Sequence, residues 1–190
     1  MRKIVLQEFV SIDGMAAGPN GTVDFIPASM QADISFGREQ SVLMDSVDTL
    51  LLGRVTYEMF VGYWPHAKEG DPAEREFADK FNALSRVIFS KSLEHAPWGK
   101  WKAGRIVRRD PVEEVVSLKQ QPGKDLLVSG SLTLAQALEE ADAIDEYRLV
   151  LCPVVLGNGR ALFRGTANRT LKLIKATAMD RGAVSIIYGR

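Results

Sequence analysis

Leu50-Leu51-Leu52-Gly53-Arg54-Val55-Thr56-Tyr57-Glu58 is an apolar run that stops at a glycine and turns at once into helix-compatible sequence. A buried strand delivers a helix N-terminus to an anion in this way. The N–H groups of a first helical turn lack intrahelical partners, and the helix dipole favours negative charge beside them. Gly53 permits close backbone approach, while Arg54 and Thr56 add donors. An ordinary strand-turn-helix connection has the same pattern, so the stretch takes its meaning from its neighbours. Outward from it, short β-rich runs alternate with helical patterns, without internal repeats or low-complexity segments. Strands are predicted over 3–10, 49–52, 86–90, 105–108, 125–128, 146–152, 171–178 and 184–188, and helices over 31–44, 55–60, 72–83, 111–119 and 132–140. Asp71-Pro72 and Asp110-Pro111 each place a capping acid before a proline at the first helical position. After Glu140 strands follow one another without helices between them, which predicts an antiparallel hairpin closing one edge of an otherwise parallel sheet. The expected fold is therefore α/β.

With 190 residues, 46% hydrophobic and 25% charged, the chain is expected to form a single globular domain over 1–190. Lys+Arg and Asp+Glu balance at 24 each, so there is no basic surplus to follow a nucleic-acid backbone or an anionic membrane. Neither partner is expected, and any anion must be held by local groups. The only cysteine, Cys152, sits in an apolar run and reads as a buried core residue, which excludes a disulfide framework and suits a reducing, cytoplasmic setting. Met1-Arg2-Lys3 precedes only Ile4-Val5-Leu6 before polar residues return, too short for a signal-peptide core. No other run approaches membrane-spanning length.

The position after the first strand reads Ser11-Ile12-Asp13-Gly14-Met15, so the G-x-G-x-x-G fingerprint of doubly wound dinucleotide folds is absent. Gly157-Asn158-Gly159 lacks the third glycine and reads as a tight turn. Two other strand ends suit phosphate better. Ser90-Lys91-Ser92 closes one strand, and Ser129-Gly130-Ser131 joins another to the helix that opens at Leu132. With the Gly53 turn, these place small polar or basic residues at the C-terminal ends of parallel strands, where such sheets bind ligands.

Taken in order, Ser11-Ile12-Asp13-Gly14, Leu52-Gly53-Arg54-Val55-Thr56-Tyr57-Glu58, Val87-Ile88-Phe89-Ser90-Lys91-Ser92-Leu93, Val128-Ser129-Gly130-Ser131, Ile144-Asp145-Glu146-Tyr147, Pro153-Val154-Val155-Leu156-Gly157-Asn158-Gly159 and Leu162-Phe163 resemble the dihydrofolate-reductase-like superfamily. Within it they resemble the reductase domain of the riboflavin-biosynthesis deaminase-reductase, over nearly the whole chain. The resemblance implies a three-layer α/β/α fold with a predominantly parallel eight-stranded sheet, NADPH as cofactor, a small-molecule substrate and a homodimer. It implies that Gly53, Arg54 and Thr56 hold the pyrophosphate and the 2′-phosphate side, and that Ser90, Lys91 and Ser92 flank the 2′-phosphate. Ser129, Gly130, Ser131 and Leu132 would form the turn under the pyrophosphate and nicotinamide ribose. Folate enzymes carry paired glycines joined by a cis peptide at that turn; Ser129-Gly130 stands here, where a cis bond would be costly. Asp13 is the candidate catalytic residue, to position substrate or relay a proton, although Asp-Gly is also an ordinary turn pair.

Hydride transfer to a ribosylamine-type or related substrate is the activity expected. Dihydrofolate reduction and NADPH binding without turnover are the alternatives. Asp33 and Glu39 in the first predicted helix do not match the folate pattern, and no zinc-ligand motif of a deaminase is present. His66 and His95 read as exposed loop residues and predict no metal site. Trp98-Gly99-Lys100-Trp101-Lys102 reads as a surface loop over the sheet, and Tyr63-Trp64-Pro65 as aromatic packing against the cofactor edge or a neighbouring subunit.

Overall fold

The structure, a computed structural model, describes residues 1–26, 34–67, 72–165 and 168–190. In chain order its elements are β1 (Ile4–Ser11), β2 (Met15–Ala17), α1 (Ile34–Ser46), β3 (Val47–Gly53), α2 (Arg54–Val61), a 3-10 turn (Trp64–His66), α3 (Pro72–Ala83), β4 (Ser85–Phe89), β5 (Arg105–Val107), α4 (Pro111–Lys119), β6 (Asp125–Ser129), α5 (Leu132–Glu140), β7 (Glu146–Cys152), β8 (Arg160–Ala161), β9 (Lys172–Ala178) and β10 (Val184–Gly189). One eight-stranded sheet runs in the order β5-β4-β3-β6-β1-β7-β10-β9. From β5 to β7 every pairing is parallel, while β10 is antiparallel to both β7 and β9. This is the expected α/β sheet with its antiparallel closure, and each predicted strand lies in it with ends shifted by at most two residues.

The middle of the sheet is continuously apolar because helices cover both of its faces. Leu50, Leu51 and Leu52 of β3 are all fully buried. Leu51 packs with Ile4, Leu6, Val128 and Leu138 on the side of α4 and α5. Leu50 and Leu52 pack with Val5, Leu43, Tyr57 and Phe81 on the side of α1, α2 and α3. Burying each such side chain contributes about 1.5–3 kcal/mol. Cys152 is buried, as expected.

Helix α4 starts where Asp110-Pro111 predicts. The Asp110 carboxylate accepts the Val112 N–H at 2.8 Å and the Glu113 N–H at 3.3 Å. The matching cap at Asp71 lies outside the described residues. Two expectations are corrected. Trp98 is fully buried, its indole N–H donates to Asn82 Oδ1 at 2.6 Å, and the Arg86 guanidinium lies 4.7 Å over its ring. Trp98 therefore belongs to the core, turned inward toward Asn82 and Arg86, while Gly99, Lys100 and Lys102 of the same segment are exposed. Trp64 likewise packs on Phe77 and Phe81, at 5.2 and 5.0 Å between ring centroids, within the core beside α3.

β2 and β8 form a ribbon that the sequence pattern does not announce, in which Met15 faces Ala161. Strands of three and two residues are too short for a readable alternation. Among the described residues no helix is long and apolar enough to cross a membrane.

Candidate active site

Parallel pairing brings the C-terminal ends of β4, β3, β6, β1 and β7 to one edge of the sheet. At β3 and β6 the chain passes directly into a helix there: Gly53 is the N-cap of α2 and Ser131 the N-cap of α5. Neither cap is filled by a side chain, in contrast to Asp110 on α4. Instead the two helix ends are locked to each other. The Gly53 N–H donates to Ser131 Oγ at 2.9 Å, and the Ser131 N–H donates to Thr56 Oγ1 at 3.0 Å.

This interlock requires the left-handed backbone at Gly130 and Ser131, with φ of 60° and 61°. A serine rarely adopts that conformation, and the bond from its amide to Thr56 is one interaction that holds it there. The Ser129-Gly130 peptide is trans. A Cβ on Gly130 would lie 3.1 Å from Thr56 Cγ2, so glycine is needed here for space as well as for φ. The first N–H groups of α2 and α5, from Arg54, Val55, Leu132 and Thr133, have no acceptor within their helices. Two positive helix ends meeting at one turn favour negative charge there. Leu132 anchors it by packing its side chain into the core.

The remaining candidates fall around this turn. Gly53 pairs in register with Phe89, which places the Ser90–Ser92 turn next to the start of α2. The Ser90 hydroxyl oxygen accepts the N–H of Ser92 at 3.2 Å and of Leu93 at 3.0 Å, holding the turn. Lys91 is exposed and is tied to no described acid. Arg54, in contrast, pairs with Glu58 one helical turn on, at 2.8 Å, and its charge is neutralised within α2.

Asp13 lies just past the end of β1, which is two strands from β3 and so about 10 Å away. Its Oδ1 accepts the Ser11 hydroxyl at 2.6 Å and the Leu156 N–H at 3.1 Å, and its Oδ2 accepts the Gly157 N–H at 2.7 Å. The Ser11 hydroxyl, followed by the Leu156 amide, pulls its pKa down to about 2. At neutral pH Asp13 is an acceptor that clasps the loop after β7 to the loop after β1. That geometry suits positioning and not the proton relay included in the expectation. Glu39 is also structural in its contacts, accepting Lys175 Nζ at 2.8 Å and Thr177 Oγ1 at 3.3 Å across to β9. Asp33 lies outside the described residues.

Sequence reasoning missed Glu8. It is buried on β1, and burial pushes its pKa up to about 8, against the opposing effect of a hydrogen bond from the Gly130 amide. Its Oε2 is sealed from solvent without a partner. The only signal was a glutamate inside the apolar run Ile4 to Val10.

His66 and His95 are exposed, as expected. Among the described residues no group of His, Cys, Asp and Glu could hold a metal. A cavity of about 200 Å³ lined by Glu139, Tyr147, Phe163, Arg169 and Leu171 lies by the C-terminal part of α5, away from the anion turn at that helix's start.

A family model described as the RibD C-terminal domain matches residues 2–185. The chain is 30% identical over 188 residues to the uncharacterized protein YyaP of Bacillus subtilis, covering 98% of this chain and 94% of that one. Among solved structures, a protein of Shewanella sp. PV-4 assigned to riboflavin biosynthesis superposes with a TM-score of 0.74 at 21% identity, covering 99% of this chain and 98% of that one. Dihydrofolate reductase from Enterococcus faecalis, in complex with NADP(H), superposes with a TM-score of 0.62 at 12% identity, covering 99% of this chain and 96% of that one. The fold is thus the dihydrofolate-reductase-like one.

Proposed function

Since the chain belongs to the RibD C-terminal domain family, we propose that it is an NADPH-dependent reductase resembling 5-amino-6-(5-phosphoribosylamino)uracil reductase, acting on a ribosylamine-type or related small substrate. The observation that carries this reading is the interlock of Gly53, Thr56 and Ser131, which aims two uncapped helix N-termini at one turn. A pyrophosphate fits such a turn, because it supplies the negative charge and the acceptor oxygens that both helix ends lack.

In this reading Gly53, Arg54 and Thr56 face the pyrophosphate from α2, and Ser129, Gly130, Ser131 and Leu132 face it from α5. Ser90, Lys91 and Ser92 lie where a further phosphate distinguishes NADPH from NADH. Arg54 would release Glu58 to contribute its charge. When bound, the dinucleotide supplies a hydride, and the chain's task is orientation. Asp13, ionised and fixed by the Leu156 and Gly157 amides, would accept hydrogen bonds from substrate hydroxyls. A homodimer belongs to the same reading. The outermost strand β9 exposes Leu173 and Ile174, an apolar strip suited to a second copy.

Isothermal titration with NADPH, followed by a turnover screen at the NADPH absorbance band, tests the proposal. Oxidation of NADPH by ribosylaminopyrimidine phosphates and not by dihydrofolate is the expected result. Dihydrofolate turnover unaffected by Asp13→Asn would favour the folate reading. Tight NADPH binding without turnover of any carbonyl, imine or pterin substrate would favour a binding protein.

A further inference from the structure

We propose that dinucleotide binding at the Gly130–Ser131 turn is coupled to proton uptake by Glu8, the buried carboxyl beside this turn. The inference rests on the dinucleotide reading above and adds a titrating group to it. Glu8 is 6% exposed and sits on the strand next to β6. Strand alternation puts its side chain on the same face as Leu6 and Val10, under the start of α5. The β1–β6 register pairs Gln7 with Ser129, and continued by one residue it sets Glu8 beside Gly130, while Glu8 Oε2 stays buried and unpartnered.

An ionised carboxylate with one orphaned oxygen is costly in such a place, whereas the neutral acid is tolerated. Among the described residues this face is apolar, carrying Leu6 and Val10 from β1, Val128 from β6, Leu149 from β7 and Leu132 from α5. The titratable groups on the facing elements are Tyr147 of β7, whose hydroxyl is pushed upward by burial, and Glu139 of α5, which pairs with Arg169 at 3.5 Å. Neither neutralises Glu8. Burial places its pKa at about 8.

A phosphate arriving at the Gly130–Ser131 turn brings a second negative charge to the backbone beside an ionised Glu8. Like charges at close range disfavour joint ionisation, so the bound state favours protonated Glu8. By linkage, the ligand binds less tightly once pH exceeds the carboxyl's pKa, and binding takes up a proton. The limit is a tenfold rise in Kd per pH unit, reached if only the neutral acid admits the ligand.

Calorimetric titration of the wild-type chain with NADPH at pH 7 and pH 9, in pairs of buffers with different ionisation heats, reads both quantities. The expected result is a Kd at least threefold weaker at pH 9 and net proton uptake near pH 8. In Glu8→Gln, which keeps the side chain's size and cannot titrate, both effects should disappear while binding remains. Equal wild-type affinity at the two pH values without proton uptake would overturn the coupling and leave the dinucleotide reading standing. The same pH dependence persisting in Glu8→Gln would assign it to another group and also overturn the inference. Absence of NADPH binding at every pH would overturn the dinucleotide reading and the coupling with it. The buffer-pair measurement needs only the wild type, so absent proton uptake overturns the coupling even where Glu8→Gln fails to fold, and Glu8→Leu then takes the place of Glu8→Gln as the non-titrating variant.

Discussion

In the proposed reading, a single charge at Lys91 separates two ligands that differ by one phosphate. Its ammonium is exposed and tied to no described acid, beside the start of α2. Lys91→Ala should narrow the preference for NADPH over NADH by roughly 5- to 30-fold, the equivalent of about 1–2 kcal/mol for one charge-assisted contact. Calorimetry with both dinucleotides measures this, and equal wild-type affinities would remove the assignment. Glu8 gives a second prediction, on stability. Its folded pKa of about 8 lies above the ordinary 4.5, so the native state keeps a proton that the unfolded chain has lost between those values. Stability contributed by the neutral acid is whole below about pH 4.5, falls as pH rises to about 8, and levels off above. Urea unfolding at pH 5.5 and 7.5 should show a decline approaching about 1.4 kcal/mol per pH unit, absent in Glu8→Gln. The Ser90–Ser92 turn was legible in the sequence because its signal is local: small polar residues after a strand. Glu8 was not, since a carboxylate in a strand reads as solvent-facing until helices are known to cover both faces.

Among the elements, α2, α4 and α5 all begin close to the same edge of the sheet, and only α4 carries its own cap. Asp110→Ala should therefore cost about 1 kcal/mol of stability and leave NADPH affinity unchanged. Gly130→Ala should do the reverse in emphasis. It forces a Cβ into a left-handed residue 3.1 Å from Thr56 Cγ2, so it should cost about 1–3 kcal/mol and also displace the interlock, weakening NADPH at least tenfold. Chemical denaturation and calorimetry on the two variants together test the distinction, which fails if Gly130→Ala binds like wild type. Asp110-Pro111 announced α4 because capping chemistry lies within four residues. The mutual hold of Gly53, Thr56 and Ser131 joins residues 75 and 78 positions apart, and no local pattern reports such a pairing. Trp98 was misread for the same reason, because its partner Asn82 stands 16 residues away.

For the molecule as a whole, β9 ends the sheet with Leu173 and Ile174 exposed. Replacing both by lysine should convert the proposed homodimer to monomer in sedimentation equilibrium without changing the far-ultraviolet dichroism. A monomeric wild type would remove that part of the proposal. The sheet order also has a consequence for how the chain is made. β1 leaves the ribosome first, yet its neighbours β6 and β7 begin only at Asp125 and Glu146. While β3, β4 and β5 can pair as they emerge, the first strand must wait for most of the chain to be synthesised. Its apolar residues are then open to chaperones and to other nascent chains on the same messenger. Chains arrested before Asp125 should be cut readily within residues 1–17 by a pulse of protease, and chains arrested well beyond the last strand should resist. Codon changes that slow translation between β5 and β7 would prolong that exposure and lower the yield of folded protein without altering one amino acid.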